Sequence, residues 1–431
     1  MLTAQLKTLL SKLWHIGILH MFLSLVFVQG LALTTQFAVA RLLSVEDFGV
    51  VRVVEAFLSI GLVPAGLGMT SVIVKVIAEA NDAETRRRTF FHTLLLTGLF
   101  SAFVCVVLQL IIPLFGFTAQ VTNFLLFMVW MFVPMNLSRT TINYFQGLKQ
   151  IQRVAGVNIL FSLAAFVLVV VGAVAGDLGG WAWGRFLGQI LFALMMFWII
   201  RHAITVHLDL QSLRSLARLG ILVAFAFTVD SIASSADVLY LEQMLSDSRQ
   251  VGYYGAAGIV ITGCLLIASA VSAVAFPYFA ERASNPQALF SIARTTMLRL
   301  FAVMLPVALV LYLFAPLLTL ILGDSYTPSI DLLRIMCWGI VPSAGMLLLG
   351  TWLLAIGRPD GSAVVNLIAV VVNFGLIRLL VPGMGVNGAA IAFVVTTLAR
   401  MILCTLMLLW IYRHTLFQGN QLKLDHPDHT A

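Results

Sequence analysis

Asp230, Ser234 and Asp237 recur at spacings of four and three residues inside a long apolar run, which places two carboxylates and a hydroxyl on one helical face. Charge in low dielectric is costly, so such aspartates bind a proton or Na+, or pair with an arginine such as Arg139 or Arg400. The spacing leaves both readings open. Arg139 sits among Asn136, Ser138, Thr140 and Asn143, a group suited either to lining a polar cavity or to hydrogen bonding between helices. Arg52 has Glu55 three positions on, a carboxylate that could neutralise it or join the ion traffic. Guanidinium forks hold anionic oxygens. Arg52, Arg139, Arg400 and the Asn143 amide are therefore the candidate substrate contacts, and Asp230, Asp237 and Glu55 the candidate ion-coupling groups. Arg185, Arg334 and Arg378 lie, like Arg52, close to the end of a run, where a long side chain can reach the interface.

The elements that carry these residues are membrane spans. Of 431 residues, 61% are hydrophobic and 10% charged, against roughly 45–50% and about 25% in soluble domains, which excludes a water-soluble fold. The apolar residues form twelve runs, the first at 16–39 and the last at 388–412, each close to the roughly 20 residues that cross a bilayer as helix. Runs of that length select an all-α integral membrane protein over a transmembrane barrel. If the amino terminus is cytoplasmic, seventeen Lys and Arg fall in inner segments, among them Lys7, Lys12 and Arg86 to Arg88, against Arg41 and Arg249 in outer loops. Both termini are thus expected in the cytoplasm. The +7 net charge follows from that scatter and gives no nucleic-acid patch.

Other chemistries find little support. The first run ends in Ala38-Val39-Ala40, a small-x-small triplet, but is too long for a signal h-region and reads as a span. Cys105, Cys264, Cys337 and Cys404 all fall within spans, with neither disulfide nor metal-ligand spacing, and the DHPDH of the tail is a weak metal motif. No G-x-x-x-x-G-K-[ST] loop occurs, so ATP is not expected as the direct drive, and a coupling ion, H+ or Na+, is the one small-molecule requirement.

The two halves repeat. At a shift of about 208 residues Trp130 meets Trp338, Pro134 meets Pro342, Asn158 meets Asn366 and Gly180 meets Gly388. Two six-helix lobes follow, at 1–200 and 219–412, joined by a cytoplasmic connection at 201–218 and ending in a tail at 413–431. Six is even, so both copies start from the same face and a pseudo-twofold axis is expected along the membrane normal. Pro134 and Pro342 are the candidate paired hinges.

Several stretches, in order, resemble polysaccharide-exporting members of the multidrug, oligosaccharidyl-lipid and polysaccharide flippase superfamily: RLLSVEDFGVVRVVEAF, VGYYGAAGIV, AFPYFAE, ILGDSYTPSIDLLRIM and VPGMGVNGAAIAFVVTTLAR. The resemblance implies a fold like that of multidrug and toxin extrusion (MATE) transporters and the flipping of undecaprenyl-pyrophosphate-linked repeat units across a bacterial cytoplasmic membrane. It further implies the lipid bilayer, the linked glycan and the polysaccharide polymerase and chain-length machinery as partners. A cation or drug antiporter of the same fold is the rival within transport, and would favour acidic cavity walls. A membrane glycan polymerase or ligase is the rival from enzymology, for which every outer loop is short.

Overall fold

The computed structural model describes residues 18–80, 82–201 and 208–421. Lys7 and Lys12, His202 and His207 of the connection, and the DHPDH tail lie outside the described residues. Among those described, every regular element is helical. In chain order they are α1 Ile18–Leu42, α2 Val45–Ala65, α3 Met69–Glu79, α4 Ala83–Ile111, α5 Ala119–Met128, α6 Phe132–Gly147, α7 Ile151–Ile200 and α8 Leu210–Leu245. Then follow α9 Ser248–Glu281, α10 Pro286–Phe314, α11 Leu317–Leu322, α12 Ser329–Met336, α13 Ile340–Ala355, α14 Pro359–Met384 and α15 Val386–Gln421. Short polar residues set the starts: Ser44, Asp82, Asp209 and Asn285 each accept a backbone N–H of the first turn they precede.

Ten stretches among the described residues are long and apolar enough to cross a membrane. One of them, Gln152–Ile200, is two helices, because Gly176 and Asp177 leave helical geometry in the middle of α7. α1 is a further apolar helix. The outward faces confirm the solvent. Leu99, Phe103, Val106 and Leu110 stand exposed along α4 while Thr93, Thr97 and Ser101 are buried, the arrangement a helix takes in lipid when its polar groups turn to its neighbours. The protein is a multi-pass helical membrane protein.

The chain divides into two compact units, Met1–Gly252 and Tyr253–Ala431. In the first, α2 packs along α8, α1 along α7, and α6 against α3, α4 and α7. Its inner core is built on Ile73, Ile77, Phe90 and Phe145, with Phe90 stacked on Tyr144 at 4.0 Å between centroids. Where α2 meets the first turn of α9, the backbones touch: a Cβ on Gly49 would stand 1.7 Å from the Ser248 carbonyl oxygen, and one on Gly252 2.1 Å from that of Val45. In the second unit α14 packs on α15 and α13 on α10 and α15, with Trp352 set among Phe279, Phe290 and Tyr412.

The duplication read from matched residues recurs in backbone geometry. The 3-10 turn Val129–Met131 leads into α6, and the turn Cys337–Gly339 leads into α13, 337 against 129 and 340 against 132. Two left-handed residues keep the same offset, Lys149 (φ 59°) against Gly357 (φ 74°) and Asp177 (φ 50°) against Gly385 (φ 59°). Pro134 and Pro342 give a physical cause for the turns. Each is the third residue of its helix and has no N–H for the carbonyl four positions back, that of Trp130 or Trp338, so the preceding turn tightens.

Candidate functional site

Three helices of the first unit bring charge together. Arg52 and Glu55 share a face of α2, with Arg52 Nη1 3.7 Å from Glu55 Oε2. Arg185, on the second half of α7, reaches the other carboxylate oxygen at 3.4 Å. From α1, Gln36 Oε1 accepts a hydrogen bond from Arg52 at 3.4 Å. Arg139 of α6 is exposed and makes no ion pair with Glu55 among the described residues. The cluster therefore carries two guanidinium groups on one carboxylate. The Nε atoms of Arg52 and Arg185 are buried and find no hydrogen-bond partner among the described residues. Buried donors left unmade are expensive, and two cations on one carboxylate leave the group with a net positive charge that suits an anionic oxygen ligand.

The polar inner half of α6 splits by direction. Asn136, Ser138 and Thr140 are buried in contacts between helices. Asn136 donates to Ser101, which donates in turn to the Ala65 carbonyl, and Gln189 of α7 donates to Ser138 and to the Pro134 carbonyl. The Asn143 amide donates to the Thr70 carbonyl and ties α6 to α3. Only Arg139 of that group faces open space. Ser138 Oγ also donates to the Pro134 carbonyl, so this bend is held by side chains from two helices.

α8 meets the same face of α2 through Ser235, beside its acidic stripe. Ser59 lies four residues beyond Glu55 and donates to Ser235 of α8 at 3.0 Å, which sets the register between the two helices. Next to it Asp230 and Ser234 are exposed and Asp237 is half-buried, with Asp237 Oδ1 accepting the Val238 N–H at 2.9 Å. Ser234 donates to the carbonyls of Asp230 and Ser231. Arg400 lies in the second unit, where its Nη2 donates to Asn366 at 2.7 Å. Pro342 stands in α13 of that unit, and Arg378 is exposed on α14.

Two features escaped the reading of the sequence. Arg185 turns inward to Glu55, and nothing in its neighbourhood along the chain marks that. Glu242, near the end of α8, is fully buried and accepts hydrogen bonds from Thr118 at 3.0 Å and Ser248 at 2.9 Å, while its Oε2 has no partner among the described residues. A glutamate inside an apolar run was the available signal.

The fold matches that of known membrane transporters. An inward-facing multidrug resistance MATE family transporter of the MOP superfamily superposes with a TM-score of 0.74 at 18% identity, over 93% of this chain and 96% of that one. The Lipid II flippase MurJ in an inward closed conformation gives 0.76 at 14% identity, over 95% and 93%. A MOP superfamily transporter from Pyrococcus furiosus, described as having a binding pocket of reverse polarity, gives 0.63 at 17%, over 91% and 94%. The architecture is thus MATE-like, two-lobed and all-helical. A family model described as polysaccharide biosynthesis protein matches residues 38–331, more than half of the chain, and the protein belongs to that family. No curated protein matches the sequence.

Proposed function

We propose that the protein is a flippase that carries undecaprenyl-pyrophosphate-linked oligosaccharide repeat units from the cytoplasmic to the outer leaflet of a bacterial cytoplasmic membrane, for surface polysaccharide assembly. The observation that carries the reading is the charge of the first unit: Arg52 and Arg185 share one carboxylate, with a guanidinium Nε–H on each left without a partner among the described residues. A diphosphate linker supplies the oxygens such forks bind, and sugar hydroxyls suit the amide of Gln36 and the hydroxyl of Ser59. Family membership supports a role in polysaccharide synthesis. The cluster moves a substrate without needing to break it, which fits transport rather than catalysis.

The open Asp230 and the half-buried Asp237 beside it favour a cation on the adjacent face of α8. In this reading H+ or Na+ binds there while the arginines release the anion, and the Pro134 and Pro342 bends let each lobe rock. The same aspartates are what a multidrug or cation antiporter would use, so that reading is kept as the alternative. Deleting the gene separates the two. Flipping requires lipid-linked repeat units to accumulate in the inner leaflet with loss of surface polymer. An antiporter leaves the polymer intact and alters drug sensitivity.

A further inference from the structure

The two copies of the repeat differ at one place in a way that packing alone does not require. In the first unit, Phe127 of α5 and Trp183 and Phe186 of the second half of α7 form a ring cluster, with centroids 4.8, 4.8 and 6.2 Å apart. At the repeat offset the second unit has Ile335, Ile391 and Val394, smaller side chains that leave a cavity of about 570 Å³, bordered also by Tyr312, Asp331, Arg334, Trp338 and Val395. Leu126 and Asn123 of the first copy become Arg334 and Asp331 of the second. At these positions the first copy carries aromatic rings and no charge; the second carries aliphatic side chains and a charged pair beside an open groove.

The pair is ordered along the helix. α12 opens the candidate span Ser329–Ala355, in which Asp331 comes first, Arg334 about one turn further in and Ile335 and Trp338 after it, while Val394 and Val395 of α15 also border the groove. Arg334 Nη1 is 3.5 Å from Asp331 Oδ1, an exposed i,i+3 contact of little intrinsic worth, and its Nε is buried without a partner among the described residues. Tyr312 lies 5.9 Å under the guanidinium and 6.0 Å from the Trp338 ring, aromatic side chains of the kind found at headgroup level.

We propose that this groove holds a zwitterionic aminophospholipid of the leaflet on the side where α12 begins, with its phosphate on Arg334, its ammonium on Asp331 and an acyl chain against Trp338, Ile391 and Val394. The order of groups along the helix, carboxylate, guanidinium, then apolar surface, is the order amine, phosphate, tail of such a lipid. A diphosphate would meet the Asp331 carboxylate with like charge and only one arginine, so the groove is distinct in its chemistry from the cluster of the first unit. The inference does not depend on what the protein transports.

The test is native mass spectrometry of the full-length protein released from nanodiscs containing equal phosphatidylethanolamine and phosphatidylglycerol. Wild type should retain phosphatidylethanolamine by roughly tenfold over phosphatidylglycerol. Asp331→Asn should bring the two lipids level, Arg334→Gln should lose both, and the double variant Ile391→Trp, Val394→Phe, which plugs the groove with two of the three rings of the first copy, should retain neither. Equal retention of the two lipids by wild type, a preference for phosphatidylglycerol, or retention by the plugged variant equal to wild type would overturn the proposal. Circular dichroism of each variant shows that it is folded, and the exposed Asp331 gives the readout least dependent on packing.

Discussion

Glu55 is the residue that lets the first unit hold its arginines together. Arg52 and Arg185 both lean on it, so Glu55→Ala should leave two partly buried cations uncompensated and cost about 1–3 kcal/mol of stability, read as a lower midpoint in detergent melts. Arg52→Ala or Arg185→Ala should instead leave the fold in place and reduce transport roughly tenfold or more, since a fork on the substrate is removed. Lysine should not restore it, because a point charge lacks the paired donors. The capping aspartates at the helix starts bear on pH in a separate way. Hydrogen bonds from the Thr85 backbone and hydroxyl hold Asp82 below the usual carboxylate range, and the Ser212 hydroxyl with the Gln211 N–H does the same for Asp209. A depressed folded value means the cap is at full strength above the unfolded value of about 3.9 and is lost as pH falls through the lower folded one. The protection factors of the Thr85 and Ser212 amides, exchange rates divided into their intrinsic values at each pH, should therefore fall only in acid, and Asp209→Asn should remove that dependence at Ser212 while keeping the cap.

At the scale of elements the molecule is a set of helices broken at repeated places. Pro134→Ala and Pro342→Ala would return the missing N–H and allow a regular turn in place of the 3-10 segments, so the variants should be at least as stable as wild type yet slower in transport, if the bends move during the cycle. Unchanged transport would show the bends to be static. The close approach of α2 and α9 sets the opposite expectation: Gly49→Ala and Gly252→Ala put a methyl group into a facing carbonyl and should lower the melting midpoint markedly, whatever they do to transport. The proline breaks were legible in the sequence because Pro134 and Pro342 recur at one offset and each has a backbone consequence that does not depend on distant partners, whereas the approach of Gly49 to Ser248 is a product of packing. The site was legible only in part. The Arg52 and Glu55 pairing lies within one helical turn and follows from spacing, whereas Arg185 comes from a helix more than a hundred residues away, and its inward turn is a product of packing between α2 and α7. Asn143 shows the converse: an amide on a polar helix looks like a substrate contact until the Thr70 carbonyl is seen to take it. Composition fixes the number of polar groups, and tertiary packing decides which are spent on neighbours.

For the whole molecule, the protein belongs to the polysaccharide biosynthesis family and its fold is like that of MATE transporters and of the Lipid II flippase MurJ. The central claim is that the arginine cluster of the first unit grips the diphosphate of a lipid-linked glycan while it changes leaflet. The direct measurement is a leaflet assay with purified protein in liposomes carrying an undecaprenyl-pyrophosphate-linked oligosaccharide labelled on its sugar, followed by the fraction reachable by a membrane-impermeant glycosidase. The account requires wild type to expose the labelled sugar much faster than protein-free vesicles and the Arg52→Ala, Arg185→Ala double variant to fall to the protein-free rate. Exposure by the double variant at the wild-type rate, or none by wild type under any imposed H+ or Na+ gradient, would contradict it.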